Sequence, residues 1–351
     1  VSDDVVLALD AMGGDAAPDM VIEGVALARQ RFPKAHFLLF GDEPRLKELL
    51  ATHKGVAEVS TIRHAPDVVT GDAKPSQVLR TGRKSSMWMA IDAVAKGEAQ
   101  GIVSAGNTGA LMAVSKFVLR TVPGIDRPAI AGLFPTQRGE TVMLDLGANV
   151  DCNANNLVEF AIMGEVFCRL VLGKERPSVG ILNVGSEDLK GNSAVKTAHQ
   201  ILKSHHMQLS FHGFVEGTDL GAGTVDVIVT DGFTGNVALK TVEGTAKMFS
   251  YFLKETFTTS LLAKVGYFFA QGALRRLRMR ADPRRYNGAM FLGLNGITVK
   301  SHGGTDALGF ANAIGVAIDL VSQNFNEKIK EELAHLAEEP SEPSENQVAA
   351  L

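Results

Sequence analysis

Short apolar runs that stop in glycine-rich turns constrain this chain more than any other feature. Runs at 101–103, 141–144, 179–182, 225–229 and 297–300 enter turns at 104–109, 145–151, 183–191, 230–236 and 301–306. All but the second lead quickly into a helical pattern. A strand, a glycine turn and a helix start together leave backbone N–H groups free, and the helix dipole points the same way, so each such turn suits an anion. In an open parallel sheet these turns gather along the carboxyl edges of the strands, where ligands bind. The pattern predicts an enzyme or binder of a small, phosphate-bearing ligand.

Strand and helix patterns alternate along most of the chain, with strands expected near 5–9, 36–40, 60–62, 130–134 and 209–214 in addition to the five runs above. Helices are expected near 20–31, 86–96, 109–119, 157–172, 194–204 and 310–324. This alternation predicts an α/β fold, a three-layer sandwich with a mostly parallel sheet between helices. At 351 residues and 45% apolar content the chain can fill such a core. Residues 1–336 are expected to form one catalytic α/β domain with two lobes around a cleft. Residues 236–279 lack strands and break near Thr258, Thr259 and Ser260, which predicts a projecting helical hairpin inside an arm at 237–285. Residues 337–351 have four glutamates and no basic residue, and are expected to be a disordered acidic tail.

A net charge of −4 gives no reason to expect nucleic acid as a partner. The two cysteines, Cys152 and Cys168, form no disulfide framework. The first residues show no basic stretch followed by an apolar one, and no run is long and pure enough to span a bilayer. The expected location is cytoplasmic.

Several of these segments together are similar to the signatures of one family. They are 10–15 (Asp-Ala-Met-Gly-Gly-Asp), 80–87, 104–109, 145–152, 190–192, 231–236 and 295–303, in this order between about Val5 and Asn324. They resemble the bacterial phosphate acyltransferases of phospholipid synthesis. That resemblance implies transfer of a long-chain acyl group from acyl carrier protein to inorganic phosphate. The acyl phosphate would pass to a membrane glycerol-3-phosphate acyltransferase. It also implies a fold like phosphotransacetylase and isocitrate dehydrogenase, and a homodimer. The acyl group would arrive on the carrier's phosphopantetheine, with no other cofactor and no metal. Ser186 departs from the family's Gly-Glu-Glu loop, while Glu187 keeps the second acid.

The reaction needs phosphate held near a thioester carbonyl and donors for the tetrahedral oxyanion. The turn with Asn107, Thr108 and Gly109 is the first phosphate candidate, against an ordinary strand–helix turn. Lys300, Ser301 and His302 put a cation, a hydroxyl and an imidazole at one strand end, with His302 either orienting phosphate, stabilising the oxyanion, or simply structural. Asp231 and Asn236 lie in a turn similar to one in phosphotransacetylases. There Asn236 is a donor to the acyl oxygen, and Asp231 is either catalytic or a helix cap. Lys190 is read as a phosphate contact or a solvated lysine. Lys300, His302, Asn107, Asn236 and Lys190 are expected to approach one cleft. Arg80 and Arg83 open a helix rich in hydroxyls and suit phosphate or the carrier, or are only solvated. Asp10 and Asp15 flank a double glycine that can be merely a sharp turn. Cys152 is a small buried thiol more readily than a nucleophile, so direct attack by phosphate is expected.

In the arm, Leu261, Leu262, Val265, Phe268 and Phe269 share one helical face, and Arg275, Arg276 and Arg278 follow it. The face fits an anionic membrane surface, the arginines fit lipid headgroups or the acidic carrier, and the whole fits a subunit bundle as well. Peripheral membrane association is the expectation. The competing functions are an NAD- and metal-dependent dehydrogenase on a related fold, a phosphotransacetylase acting on acyl-CoA, and a membrane-surface scaffold. The chain lacks a recognisable dinucleotide fingerprint, which weighs against the dehydrogenase.

Overall fold

A computed structural model describes residues 5–204, 209–280 and 282–338. The chain begins with β1 (Val6–Asp10), α1 (Asp19–Arg31), β2 (His36–Gly41), α2 (Glu43–Thr52), α3 (Lys54–Ala57), β3 (Ser60–His64), α4 (Pro75–Thr81), α5 (Ser86–Ala95), β4 (Gly101–Ser104) and α6 (Thr108–Leu119). It continues with β5 (Ala129–Thr136), β6 (Gly139–Leu144), α7 (Ala154–Leu172), β7 (Ser178–Leu182), α8 (Ser193–Ser204), β8 (Ser210–Val215), α9 (Gly217–Ala222) and β9 (Val227–Val229). The arm is α10 (Gly232–Thr258) and α11 (Leu261–Arg280), followed by β10 (Ala289–Leu292), β11 (Ile297–Lys300), α12 (Ala307–Ser322) and α13 (Phe325–Glu338).

The layers follow from side-chain alternation along buried strands. In β1, Leu7 and Leu9 point into a core shared with α1, α7, α12 and α13, while Ala8 points into a second core with α4, α5 and α6. Caps define the helix ends. The Asn153 side chain accepts from Asn156 N at 2.9 Å to start α7, and Gly173 ends it at φ 65°.

One 11-stranded sheet runs β3-β2-β1-β4-β11-β10-β5-β6-β9-β7-β8. Seven of its ten neighbour pairings are parallel, as expected. The other three, β11–β10, β10–β5 and β5–β6, reverse the direction of the second half. β10, which the sequence pattern did not reveal, is four residues long and follows an arginine-rich stretch. The carboxyl ends of β1, β4 and β11 therefore lie along one edge of the sheet, and those of β6, β9 and β7 along the other.

Near the junction of the halves, Asp145 is fully buried. Its carboxylate accepts from Ile130 N at 3.0 Å, Gly147 N at 3.1 Å, Ala148 N at 2.9 Å, and the Asn149 backbone and amide at 2.7 and 2.9 Å. Burial raises its pKa, and these donors oppose the rise.

The arm leaves the body. In α10 only Gly232 and Gly235 are buried, and α11 returns against it with Phe257 and Tyr267 rings 5.5 Å apart. The 27 residues of α10 span about 40 Å at about 1.5 Å per residue. Of the expected acidic tail, Ala337 and Glu338 still belong to α13, and 339–351 lie outside the described residues.

Asp145→Ala would leave several buried N–H groups without an acceptor. It should lower unfolding free energy by about 3 kcal/mol or more, read by urea denaturation. A variant as stable as the parent would show that the carboxylate does not hold the junction.

Candidate functional site

The first sheet edge is organised by Asp10, at the carboxyl end of β1 and 1% exposed. Ser86 Oγ donates to Asp10 Oδ1 at 2.6 Å, and Ser104 Oγ donates to Oδ2 at 2.7 Å. Ser104 Oγ in turn accepts from Gly106 N at 3.0 Å, fixing the glycine turn. A Cβ on Gly13 would sit 2.5 Å from Asp10 Oδ2, so glycine is required for the chain to pass the carboxylate. The sequence offered only a double-glycine turn here. Serines 86 and 104 are more than 70 residues away along the chain, and no local pattern ties them to Asp10.

Lys300 ends β11, pairs in register with Ser104, and is 9% exposed. Its ammonium donates to the Ser301 carbonyl. Burial pushes the Lys300 pKa down to about 8, against the raising charges of Asp10 and Asp15. Asp10 is itself raised by burial, opposed by its two serine donors and by Lys300. Each charge thus opposes the effect of burial on the other in a poorly solvated place.

His302 is exposed beside this cation. Its backbone N–H donates to Asn287 Oδ1 at 2.9 Å, and Gly304 N donates to its Nδ1 at 3.1 Å. With Nδ1 accepting, the neutral ring carries its proton on Nε2 and offers a donor outward. Ser301 differs from the expectation. It is fully buried, and its hydroxyl accepts from Asn287 Nδ2 at 2.8 Å, so it anchors the turn and does not face a ligand.

Asn107 likewise uses its side chain internally. Its Oδ1 accepts from Ala110 N at 2.8 Å as the cap of α6, and its Nδ2 donates to the Gly71 and Ala73 carbonyls at 2.7 and 3.2 Å. The exposed Thr108 and Gly109 form the first turn of α6, where N–H groups have no intrahelical acceptor. The Asn107 amide is thus taken up inside the protein, and the N–H groups that begin α6 are the donors this turn has to offer an anion. Arg80 and Arg83 are exposed near this edge, and the Arg83 guanidinium lies 6.0 Å from the Trp88 ring centroid.

The second edge holds the remaining expected residues. Asp231 caps α10, its carboxylate accepting from Thr234 N and Thr234 Oγ1, both at 2.8 Å. The capping reading therefore accounts for that carboxylate. Asn236 is exposed on the next turn, above Gly147. Lys190 is exposed, with Nζ 3.9 Å from Glu187. Strand direction separates Asn236 and Lys190 from Lys300, His302 and Asn107 within one chain. The five are not gathered on one edge. Cys152, half-buried beside Asp145, has its pKa pushed up to about 11 by burial and by that carboxylate. A thiol so held stays protonated near neutral pH.

On the arm, Leu261, Leu262, Val265, Phe268 and Phe269 are exposed, as are Arg275 and Arg276. The Arg278 side chain lies outside the described residues. Arg284 pairs with Asp282 at 2.6 Å and Asp306 at 2.9 Å, so it docks the arm's return to α12. Among the described residues no three His, Cys, Asp or Glu side chains gather as a cation site, and no helix is long and apolar enough to cross a membrane.

A mostly parallel sheet between two helical layers, with a glycine turn and a buried lysine at one edge, is the framework of an anion-using α/β enzyme. Its fold is that of solved phosphotransacylases. A phosphotransacetylase from Streptococcus pyogenes aligns with a TM-score of 0.62 at 17% identity, covering 92% of this chain and 95% of that one. A branched-chain phosphotransacylase from Enterococcus faecalis aligns at 0.59 and 13%, covering 90% and 99%. The family described as "Fatty acid synthesis protein" matches residues 5–328, and the chain belongs to it. Relatives named "Phosphate acyltransferase" include one from Paramagnetospirillum magneticum, 66% identical over 99% of this chain and 98% of its own length. Another, from Rhodospirillum rubrum, is 63% identical over 97% and 98%. The chain is an acyltransferase of this family.

If Lys300 supplies the cation, inorganic phosphate binding should weaken as pH rises from about 7 to about 9, because the ammonium is lost as pH passes its lowered pKa. Phosphate's own second ionisation falls at the low end of this window and adds negative charge as pH rises, which would favour a cation, so it cannot cause the fall. Titration calorimetry should show this loss, and Lys300→Met should bind weakly at every pH. A parent protein with flat affinity across the window would remove Lys300 from the site.

Proposed function

We propose that this chain transfers a long-chain acyl group from acyl carrier protein to inorganic phosphate, giving acyl phosphate for a membrane glycerol-3-phosphate acyltransferase. The observation that carries the reading is the juxtaposition of the α6 first turn, Lys300 and His302 at one sheet edge. The N–H groups of Thr108 and Gly109 and the Lys300 ammonium bind the phosphate dianion. A phosphate oxygen attacks the thioester carbonyl. The C–S bond then breaks, and the thiolate leaves the tetrahedral intermediate. His302 donates from Nε2 to the developing oxyanion. The protonated state of Cys152 supports direct attack without an acyl-enzyme. Asn236 and Lys190 have no part in this edge's chemistry within one chain.

The protein acts as a homodimer, with the apolar side of α10 toward its partner, and it attaches peripherally to the cytoplasmic membrane face through α11. Leu261, Leu262 and Phe269 are 81%, 84% and 81% exposed, too apolar a stripe to leave in water. Arg275 and Arg276 favour an anionic surface by about 1 kcal/mol each.

With a long-chain acyl-carrier thioester, thiol release should require phosphate and yield acyl phosphate. Release without phosphate would mark a thioesterase, and preference for the CoA thioester would mark a phosphotransacetylase. Cys152→Ser should retain activity. An acyl group trapped on Cys152 by mass spectrometry would replace direct attack with a two-step path.

The protein should co-sediment with anionic vesicles, less so at high salt, and Phe268→Glu or Phe269→Glu should abolish this. Glutamate variants that bind vesicles normally but dissociate into monomers would make the stripe a subunit interface.

A further inference from the structure

A groove of about 740 Å³ opens between the 66–74 segment and α4, and its floor reaches Ser85, the cap of α5. That volume lies in the range of small-ligand sites. Ser85 precedes Ser86, the hydroxyl bonded to Asp10, so the inner end of the groove abuts the edge that carries Ser104 and Lys300. The segment that forms its wall is tied to the same edge. Asn107, which starts the anion turn, holds the carbonyls of Gly71 and Ala73.

The lining chemistry selects among the pieces of the donor. Asp67 and Asp72 put two carboxylates on the wall against the single ammonium of Lys74, a balance that disfavours phosphate. Thr70, Gln77 and Thr81 interrupt the apolar surface of Val68 and Val69, which disfavours a plain hydrocarbon chain. Among the described residues the backbone of Val68 and Val69 pairs with no other backbone group, although Asp67 bridges to Ser85. An extended main chain of this kind offers N–H and C=O groups to a ligand that carries amides. A neutral chain of amides and methylenes fits these features. Arg80 and Arg83, exposed in the adjoining stretch, suit the phosphodiester at its outer end.

We infer that this groove takes the pantetheine arm of the acyl donor and delivers its thioester to the turn that begins α6. The inference rests on the acyl-transfer reading and adds the path by which the donor enters.

The test uses the full chain and two variants at exposed lining positions, Gln77→Trp and Thr81→Trp. The probe is S-methyl-pantetheine, which is neutral and has no thioester to react. It should inhibit competitively against the acyl-carrier thioester, and its NMR titration should shift residues 66–82. Each variant should raise KM for the carrier thioester roughly tenfold, with KM for phosphate and thermal midpoint unchanged. Folded variants with unaltered donor KM, or a probe that shifts residues elsewhere, would overturn the assignment. A parent protein that releases no thiol with phosphate would instead sink the acyl-transfer reading, while probe binding still judges the groove. Should one variant fold poorly, the other and the probe titration on the parent decide.

Discussion

A carboxylate taken out of water must be met by donors or by a cation, and at Asp10 both are present. Its two oxygens receive hydroxyls from Ser86 and Ser104, and Lys300 lies within reach of its charge. Those three residues come from the start of α5, the end of β4 and the end of β11. One buried group thus ties together three elements whose turns meet at this edge. The close passage of Gly13 and Gly106 over Asp10 Oδ2 belongs to the same constraint. Burial lowers the pKa of the cation at this edge, and the acid held in the same dry place opposes that fall.

The reversal at β10 has the next largest consequence. A sheet that was parallel throughout would bring every strand-end turn to one side. Here β10 and the β5–β6 hairpin invert the second half, and the turns divide into two groups. One group, around Asp10, has exposed helix-start N–H groups and a lysine. In the other, the carboxylates are largely consumed by structure. Asp145 serves five donors from two backbone segments and Asn149, and Asp231 caps α10. Similar motifs therefore do different physical work on the two edges.

The arm is the part of the chain least supported by its own body. α10 and α11 cover each other only along one side, and aromatic residues remain outward on both, including Phe249, Phe252, Phe268 and Phe269. Its return is fixed electrostatically by Arg284 to Asp282 and Asp306, while Arg275 and Arg276 are exposed. An arm built this way carries apolar and basic surface that its own body does not cover.

Local sequence determined most of the elements and the family. Apolar runs ending in glycine turns marked most strands and the turn that begins α6, and Lys300 with His302 was visible as a pair at a strand end. The break at Thr258–Ser260 separated the arm's helices, because periodicity and turn residues act over a few positions. What lay beyond that range was decided by tertiary structure. Asp10 looked like a turn residue because its serines are distant in sequence. Ser301 and Asn107 looked like ligand contacts because their internal partners, Asn287 and the 71–73 carbonyls, come from other segments. The short β10 carried no signal, yet its direction decides which turns share an edge. Strand direction and the pairing of buried polar groups depend on contacts between distant segments, and only the folded chain specifies them.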